Sequence, residues 1–133
     1  AGVPVNLMVA PVVPAITDHE MVKIMERAAE AGAVSAAYTV MRLPFAVKDL
    51  FEQWVQTHFP DRSEKVFNRI RSLRGGKLYD ATWGKRMHGE GIFAEQIEKT
   101  FQVAVRKFGL NKPAPELSAA SFRRPAGNQM ELL

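Results

Sequence analysis

Residues 5–41 read VNLMVAPVVPAITDHEMVKIMERAAEAGAVSAAYTVM, and this stretch decides the fold. The apolar run at residues 5–10 lies between two prolines, which is typical of a strand buried on both faces of a parallel sheet. A helical pattern and a second apolar run, residues 34–41, follow it. Because strand, helix and strand alternate, the sequence predicts one βαβ unit with two parallel strands.

The connection from the first strand to the helix is rich in proline. Residues 11–16 contain two prolines, so we expect a fixed, extended loop that cannot be helical. Thr17 and Glu20 form a capping-box pattern at the start of the helix, and Gly32 lies where a left-handed C-terminal cap belongs. The residues expected on the inward face of this helix are Met21, Ile24, Met25 and Ala28.

Three further helices are indicated downstream by apolar residues at helical spacing. The first ends near His58, the second begins at a capping-box pattern formed by Asp61 and Glu64, and the third ends at Gly109. The residues expected on their inward faces are Val47, Leu50, Phe51, Trp54 and Val55, then Val66, Phe67, Ile70 and Leu73, then Ile97, Phe101, Ala104 and Phe108.

Two segments lack this spacing. Residues 78–91 are expected as a loop, and residues 111–133, which contain several prolines, as an irregular tail. The expected fold class is therefore α/β, with an α/β segment over residues 1–110 and a tail over residues 111–133.

The two predicted strands are too few for a stable sheet. We therefore expect the missing strands to come from an upstream part of the same protein, or from a second copy that pairs at the open sheet edge to form a homodimer. The opening residues, Ala1 and Gly2, lead almost directly into the apolar strand without an initial Met. This beginning favours a fragment of a longer protein.

The composition excludes several kinds of chemistry. The 133 residues include no cysteine, so disulfides, thiol nucleophiles, cysteine-ligated zinc and iron–sulfur ligation are excluded from this chain. No apolar run approaches the roughly 18 residues that span a bilayer, and no signal-peptide pattern is present. We expect a cytoplasmic protein with no membrane partner. The sequence contains no P-loop, dinucleotide glycine motif or Ser–His–Asp order.

Two stretches carry a family resemblance. Residues 1–20 read AGVPVNLMVAPVVPAITDHE, and residues 69–91 include RIRSLRGGKLYD followed by GKRMHGEG. Together they resemble the C-terminal part of radical S-adenosylmethionine (radical SAM) proteins of the spore-photoproduct-lyase-like group, often labelled DNA repair photolyase-like. The resemblance extends to about Leu110. It implies a partial (β/α) barrel, related to the TIM barrel, whose last strand and loop are the segment around residues 9–16.

The resemblance also implies cofactors for the parent protein. In this group a [4Fe–4S] cluster on three closely spaced cysteines, with S-adenosylmethionine on its open iron, generates a radical. This chain has none of those cysteines, so we expect it to be inactive alone although its parent is an enzyme. Ala10, Pro11 and Val12 would line the adenine or ribose of the cofactor, or form a rigid structural loop. Ala15 departs from the glycine usual in the group, which puts the loop geometry in question.

The second half of the chain is basic. Residues 1–60 carry four basic and six acidic side chains, whereas residues 61–133 carry fourteen and eight. Candidate contacts to a substrate or polyanion gather around two glycines: Arg69, Arg71, Arg74, Lys77, Lys85, Arg86 and His88. Arginines neutralise phosphate, and the interleaved Tyr79 and Trp83 are able to stack on bases, so nucleic acid is a candidate partner. A solvated helix face and a loop whose aromatic residues cover the core explain the same pattern.

Asp18, His19 and Glu20 suggest a metal site at first sight. Consecutive helical residues point about 100° apart and do not converge, and helix capping explains the pattern better. We therefore expect no metal ligands in this chain.

Overall fold

A computed structural model describes residues 3–83 and 85–123. Residues 1–2, Gly84 and residues 124–133 lie outside the described residues, and with them the predicted start of the chain and the far part of the predicted tail. In chain order the elements are β1 (Asn6–Val12), α1 (Met21–Glu30), β2 (Ser35–Val40), α2 (Val47–His58), a 3₁₀ turn (Pro60–Arg62), α3 (Ser63–Ser72), α4 (Lys85–His88) and α5 (Ile92–Phe108).

The two strands pair in parallel, as predicted. Val9 lies opposite Tyr38, and the register shifts before Val12 pairs with Val40. Pro11, which has no N–H to donate, lies within this irregularity, and the peptide bond before it is cis. The strand thus continues through a proline that was expected to end it. β1 is also not the last strand of the sheet, because β2 follows it and pairs with it.

The chain turns sharply after β1 and does not form the predicted extended loop. Val13 N–H donates to Thr17 Oγ1 at 2.8 Å, and Thr17 N–H donates to the Val13 carbonyl at 2.9 Å. Ala15 lies between them with a φ of 66°. The Thr17 hydroxyl accepts the bond that closes this turn. The capping box predicted for Thr17 and Glu20 is therefore wrong, and α1 begins after Glu20 without a side-chain cap.

The C-terminal end of α1 confirms the prediction at Gly32. Gly32 has a φ of 96° and donates its N–H to the Ala29 carbonyl at 2.9 Å. Ala33 N–H donates to the Ala28 carbonyl at 2.9 Å. These two bonds form a Schellman motif, which needs a left-handed residue and so favours glycine. The motif turns the chain directly into β2.

Helices α1 and α5 cover one face of the sheet, where Val9 and Tyr38 are buried. The buried members of this first core are Val9, Val12, Met21, Met25, Tyr38, Val40, Leu73, Ala94, Ile97, Phe101, Ala104, Val105 and Leu110. The opposite face is accessible, and the Met8 side chain there is 55% exposed. The prediction that the first strand is buried on both faces is therefore wrong, because the helices among the described residues cover one side only.

A second core lies beneath the loops that follow the strands. Its buried members are Val13, Ile16, Leu43, Phe51, Val55, Val66, Phe67 and Ile70.

The end of α2 at His58 is confirmed. The capping box at Asp61 and Glu64 is wrong, because a 3₁₀ turn occupies Pro60–Arg62 and α3 begins at Ser63 without a side-chain cap.

The outward side of α2 is more apolar than predicted. Leu50 is 66% exposed and Trp54 is 42% exposed, although both were expected to face inward.

The inward face of α3 is as predicted, and so is the end of α5 at Gly109, whose φ is 65°. The predicted loop at residues 78–91 contains the short helix α4, so up to residue 123 four α-helices follow β2 where three were expected.

The free edge of β2 is closed by the segment that follows α5. Asn111 forms an antiparallel bridge with Ser35, and Ala36 N–H donates to the Leu110 carbonyl at 3.1 Å. Lys112 N–H donates to the Val34 carbonyl at 3.0 Å. Along the other edge of the sheet, beside β1, the part of the chain that the structure describes supplies no strand.

The mixed α/β class is thus confirmed, with a parallel βαβ unit followed by helices. Within residues 3–83 and 85–123, none of the helices has the length and apolar character required to span a membrane.

Candidate functional site

The three candidate cofactor contacts lie in the last part of β1. Ala10 and Pro11 are exposed, whereas Val12 is 1% exposed and its side chain belongs to the first core. A ligand at the carboxyl end of this strand, where parallel sheets bind ligands, would meet Ala10 and Pro11. Val12 therefore packs in the first core and holds the strand against it.

Beside them runs the accessible face of the sheet, which is formed by every second residue of each strand. Asn6 lies opposite Ser35, and the Ser35 hydroxyl donates to Asn6 Oδ1 at 2.8 Å. Met8 lies opposite Ala37, and Thr39 follows on the same face. These side chains are small or polar apart from Met8, and none of them belongs to either core. This composition suits a surface that faces a ligand or a solvent-filled space.

Arg69 lies away from the other candidate basic residues. Its Nη1 donates to Asp18 Oδ2 at 2.9 Å, and its guanidinium carbon lies 5.2 Å from the centre of the Phe93 ring. The two charged side chains are each about three-quarters buried, at 27% and 24% exposure. They line a cavity of about 430 Å³ between the start of α1, α3 and α5. His19 contributes to the same cavity, so the structure gives Asp18 and His19 a common location beside Arg69.

Arg74 has a different environment from the one its sequence context suggests. It is only 2% exposed, and its Nη1 and Nη2 donate to the carbonyls of Lys85 at 2.8 Å and Met41 at 3.0 Å. Burial, followed by the charge of Arg42, lowers the pKa of Arg74 from its ordinary value. The side chain joins the end of β2 to α4, so we assign it a positioning role and not direct contact with a surface ligand.

Of the remaining cations, Arg86 is half-buried and the others are exposed. Arg71 and Lys77 are exposed, and Lys85 Nζ donates to Glu90 Oε2 at 2.6 Å. That hydrogen bond, together with the charge of Glu90, raises the pKa of Lys85. The guanidinium carbon of Arg86 lies 4.3 Å from the centre of the Trp83 ring.

Trp83 is 81% exposed, so it does not cover the core. Together with Arg86 it presents an aromatic face and a cation at the surface, which is a combination found in sites that stack bases.

His88 is placed by α4 against the covered face of the sheet. Its ring centre lies 4.9 Å from that of Tyr38, whose ring in turn lies 4.7 Å from that of Phe101. Burial, and secondarily the charge of Glu98, raises the pKa of Tyr38 to about 12. His88 and Glu98 line a cavity of about 300 Å³ beside Tyr38, which makes His88 a wall of that cavity.

One residue near the candidate site was missed by sequence reasoning. Arg42 lies two residues after the end of β2, at the carboxyl edge of the sheet, and its Nη1 approaches the Met87 sulfur at 3.6 Å. Its Nε is buried without a hydrogen-bond acceptor among the described residues. The available signal was its position directly after the predicted strand at residues 34–41.

The ranges 3–83 and 85–123 contain no cluster of three or more His, Asp and Glu side chains arranged to hold a metal ion. No protein-family model, no curated protein and no solved structure matches this chain.

Proposed function

We propose that this chain is the C-terminal α/β segment of a radical SAM protein of the spore-photoproduct-lyase-like group, in which it forms one wall of a partial (β/α) barrel. The observation that carries the proposal is the asymmetric sheet. One face is packed under α1 and α5, the other is accessible, and the β1 edge has no partner strand among the described residues. In a barrel the helices cover the outside of the sheet and the strands continue around it.

The direction in which the sheet is able to grow supports the same proposal. The β2 edge is occupied by residues 110–112, so further strands would join beside β1. The strands of an upstream barrel segment would join there. A second copy of this chain is the alternative partner for that edge, and it would produce a homodimer.

The residues present fit part of the cofactor chemistry. The chain contains no cysteine and so contributes no ligand to a cysteine-held cluster. Ala10 and Pro11 are accessible at the carboxyl end of β1 and offer apolar contact to the nucleoside part of S-adenosylmethionine. When bound, the cofactor and cluster would supply radical chemistry from the parent protein. This chain would orient the nucleoside and exclude water, and we propose that the parent protein is cytoplasmic.

The test is to isolate the polypeptide that contains this chain from its native source, with an antibody against the chain, under anaerobic conditions. We expect stoichiometric iron and sulfide, the broad visible absorption of a [4Fe–4S] cluster, and reductive cleavage of S-adenosylmethionine. A polypeptide without iron and sulfide would refute the proposal.

The cofactor contact is tested separately within that polypeptide. Ala10→Trp should weaken binding of S-adenosylmethionine without loss of iron, whereas Ala114→Trp, at an exposed position of the tail, should not. Unchanged binding in Ala10→Trp would remove the assignment of Ala10 and Pro11 and leave the cluster result intact.

A second candidate function, binding of single-stranded nucleic acid without catalysis, is favoured by the exposed Trp83 and the half-buried Arg86 beside its ring. Arg71 and Lys77 are also exposed and would add contacts to phosphate. Fluorescence anisotropy with a labelled oligonucleotide should show affinity that falls steeply with salt. Trp83→Ala combined with Arg86→Gln should abolish binding, and Arg106→Gln on α5 is the control. Binding that is insensitive to salt would exclude this function.

A further inference from the structure

Two arginine side chains are held near the carboxyl end of β2. Arg42 follows the strand, and Arg74 reaches it from the end of α3 by donating to the carbonyl of Met41 at 3.0 Å. Helix α4 closes the same region, because Lys85 supplies the second carbonyl for Arg74 and Met87 lies against Arg42. The segment after β2, the end of α3 and α4 thus place both arginines at the same edge of the parallel sheet.

Among the described residues neither arginine forms an ion pair with a carboxylate, although the negative charge of Asp80 partly offsets the lowering of the Arg74 pKa. The ion pairs formed within residues 3–83 and 85–123 join Asp18 to Arg69, Arg27 to Glu30, and Lys85 to Glu90, so none includes Arg42 or Arg74. The nearby Asp80 accepts the Thr82 N–H at 2.8 Å through its Oδ1 and pairs with neither arginine. Burying a charge is costly unless an opposite charge or strong acceptors compensate it. Arg74 is buried and has two carbonyl acceptors, whereas Arg42 is half-buried and only its Nε is shielded without an acceptor among the described residues.

The contacts of Arg42 show where an acceptor is missing. Its Nε is shielded from solvent and finds no acceptor in the described part of the chain. Its Nη1 has only the Met87 thioether sulfur, a weak acceptor, at 3.6 Å. Met87 is 36% exposed, so this contact lies at the surface and is open to replacement. An oxyanion in its place would give Arg42 a charge-assisted hydrogen bond.

We propose that Arg42, supported by Arg74, forms a binding site for the terminal phosphate group of a small ligand. The location favours a ligand because α/β folds bind ligands at the carboxyl ends of parallel strands. The partial burial of Arg42 favours an end group, because a continuous phosphodiester backbone needs an open surface. The proposal stands independently of the radical SAM assignment.

The test compares thermal unfolding of the chain in sodium phosphate and in sodium chloride of equal ionic strength. At phosphate concentrations of roughly ten times the dissociation constant, the melting temperature should rise by roughly 5 °C over chloride. Arg42→Gln should lose this rise, and Arg106→Gln, on the exposed side of α5, should keep it. No rise in phosphate, or an equal rise in Arg42→Gln, would overturn the proposal.

A built-in carboxylate provides a second test if Arg42→Gln fails to fold. Met87→Glu places a carboxylate beside Arg42, so it should raise the melting temperature in chloride and remove the added effect of phosphate. Met87→Gln, which has the same shape without the charge, should do neither. A phosphate effect that persists in a folded Met87→Glu chain would contradict the site.

The source of the phosphate is distinguished by three ligands in the same assay. Inorganic phosphate and a nucleoside 5′-monophosphate should both stabilise the chain, and an oligonucleotide without terminal phosphates should not do so through Arg42. Stabilisation by the oligonucleotide alone, lost in Arg42→Gln, would overturn the terminal-phosphate assignment and support the nucleic-acid function.

Discussion

Met25 and Met8 lie on opposite sides of the β1–β2 sheet. Met25 comes from α1, is fully buried, and packs in the first core against the covered face, whereas Met8 lies on the accessible face and is 55% exposed. The same two strands therefore provide stability through one set of alternating residues and a free surface through the other. A change on the covered face should affect folding, and a change on the accessible face should affect contacts with something else.

The largest expected effect on stability compares the same substitution, methionine to alanine, on the two faces of the sheet. Met25→Ala removes a buried side chain and leaves a cavity, so the free energy of unfolding should fall by about 2–5 kcal/mol. Met8→Ala should change it by less than about 0.5 kcal/mol. Urea unfolding of both variants measures the difference, and equal losses would show that the face bearing Met8 is covered in solution.

The next effect concerns how α4 is held against the covered face. Arg74→Met removes two hydrogen bonds from a buried guanidinium and should destabilise the chain by about 2–4 kcal/mol. It should also release His88 from Tyr38 and lower the pKa of that phenol toward its ordinary value. Arg71→Met, at an exposed position on α3, is the matched control. A normal unfolding curve for Arg74→Met would mean that α4 does not depend on this contact.

Tyr38, on the covered face, should make the free energy of unfolding depend on pH in the alkaline range. The unfolded phenol loses its proton near pH 10, but the folded one does so at about 12. Between these values the folded state binds more protons than the unfolded state. The free energy of unfolding should therefore fall as pH rises through this window, by roughly 1–3 kcal/mol in all. Tyr38→Phe should lack this part of the decline. Absorbance titration of the phenol and unfolding at each pH measure the two quantities.

The smallest expected effect lies in the turn that leads from the sheet to α1. Ala15 has a φ of 66°, in the left-handed region that favours glycine. Ala15→Gly should relieve this strain and raise the free energy of unfolding by about 0.5–1 kcal/mol, after the added entropy of the unfolded chain is included. Ala28→Gly, within α1, should lower it by about 1 kcal/mol. A loss of stability in Ala15→Gly would show that the turn tolerates alanine without strain.

Local patterns predicted most elements of the fold. The apolar spacing of α3 and α5, and the stops at Gly32 and Gly109, depend on neighbours within one or two turns, and the structure agrees with them. The predicted end of the first strand before Pro11 is wrong. Proline usually ends a strand, but here Val12 still pairs with Val40 of β2, so β1 continues beyond Pro11. The exposure of one sheet face was also beyond local reasoning, because it depends on how many helices the chain has to cover it.

The candidate basic site was harder to predict. Arg69 and Arg74 lie five residues apart, yet one pairs with Asp18 beside α1 and the other joins β2 to α4. Sequence spacing groups such residues together, but tertiary packing decides which charges reach the surface. Arg42 was overlooked because a single arginine after a strand has no distinctive pattern, and the burial of its Nε is visible only in the folded chain.

The bridge between Ser35 and Asn111 affects how many copies of this chain could join through their sheet edges. Fibrils grow by strand addition at two edges, since every molecule must both receive a strand and offer one. Here residues 110–112 occupy the β2 edge, so we expect strand addition at β1 to stop after a single event. Two molecules joined through β1 would form a closed, two-fold symmetric pair. We therefore expect association through the sheet to end at a pair and not to continue into a fibril.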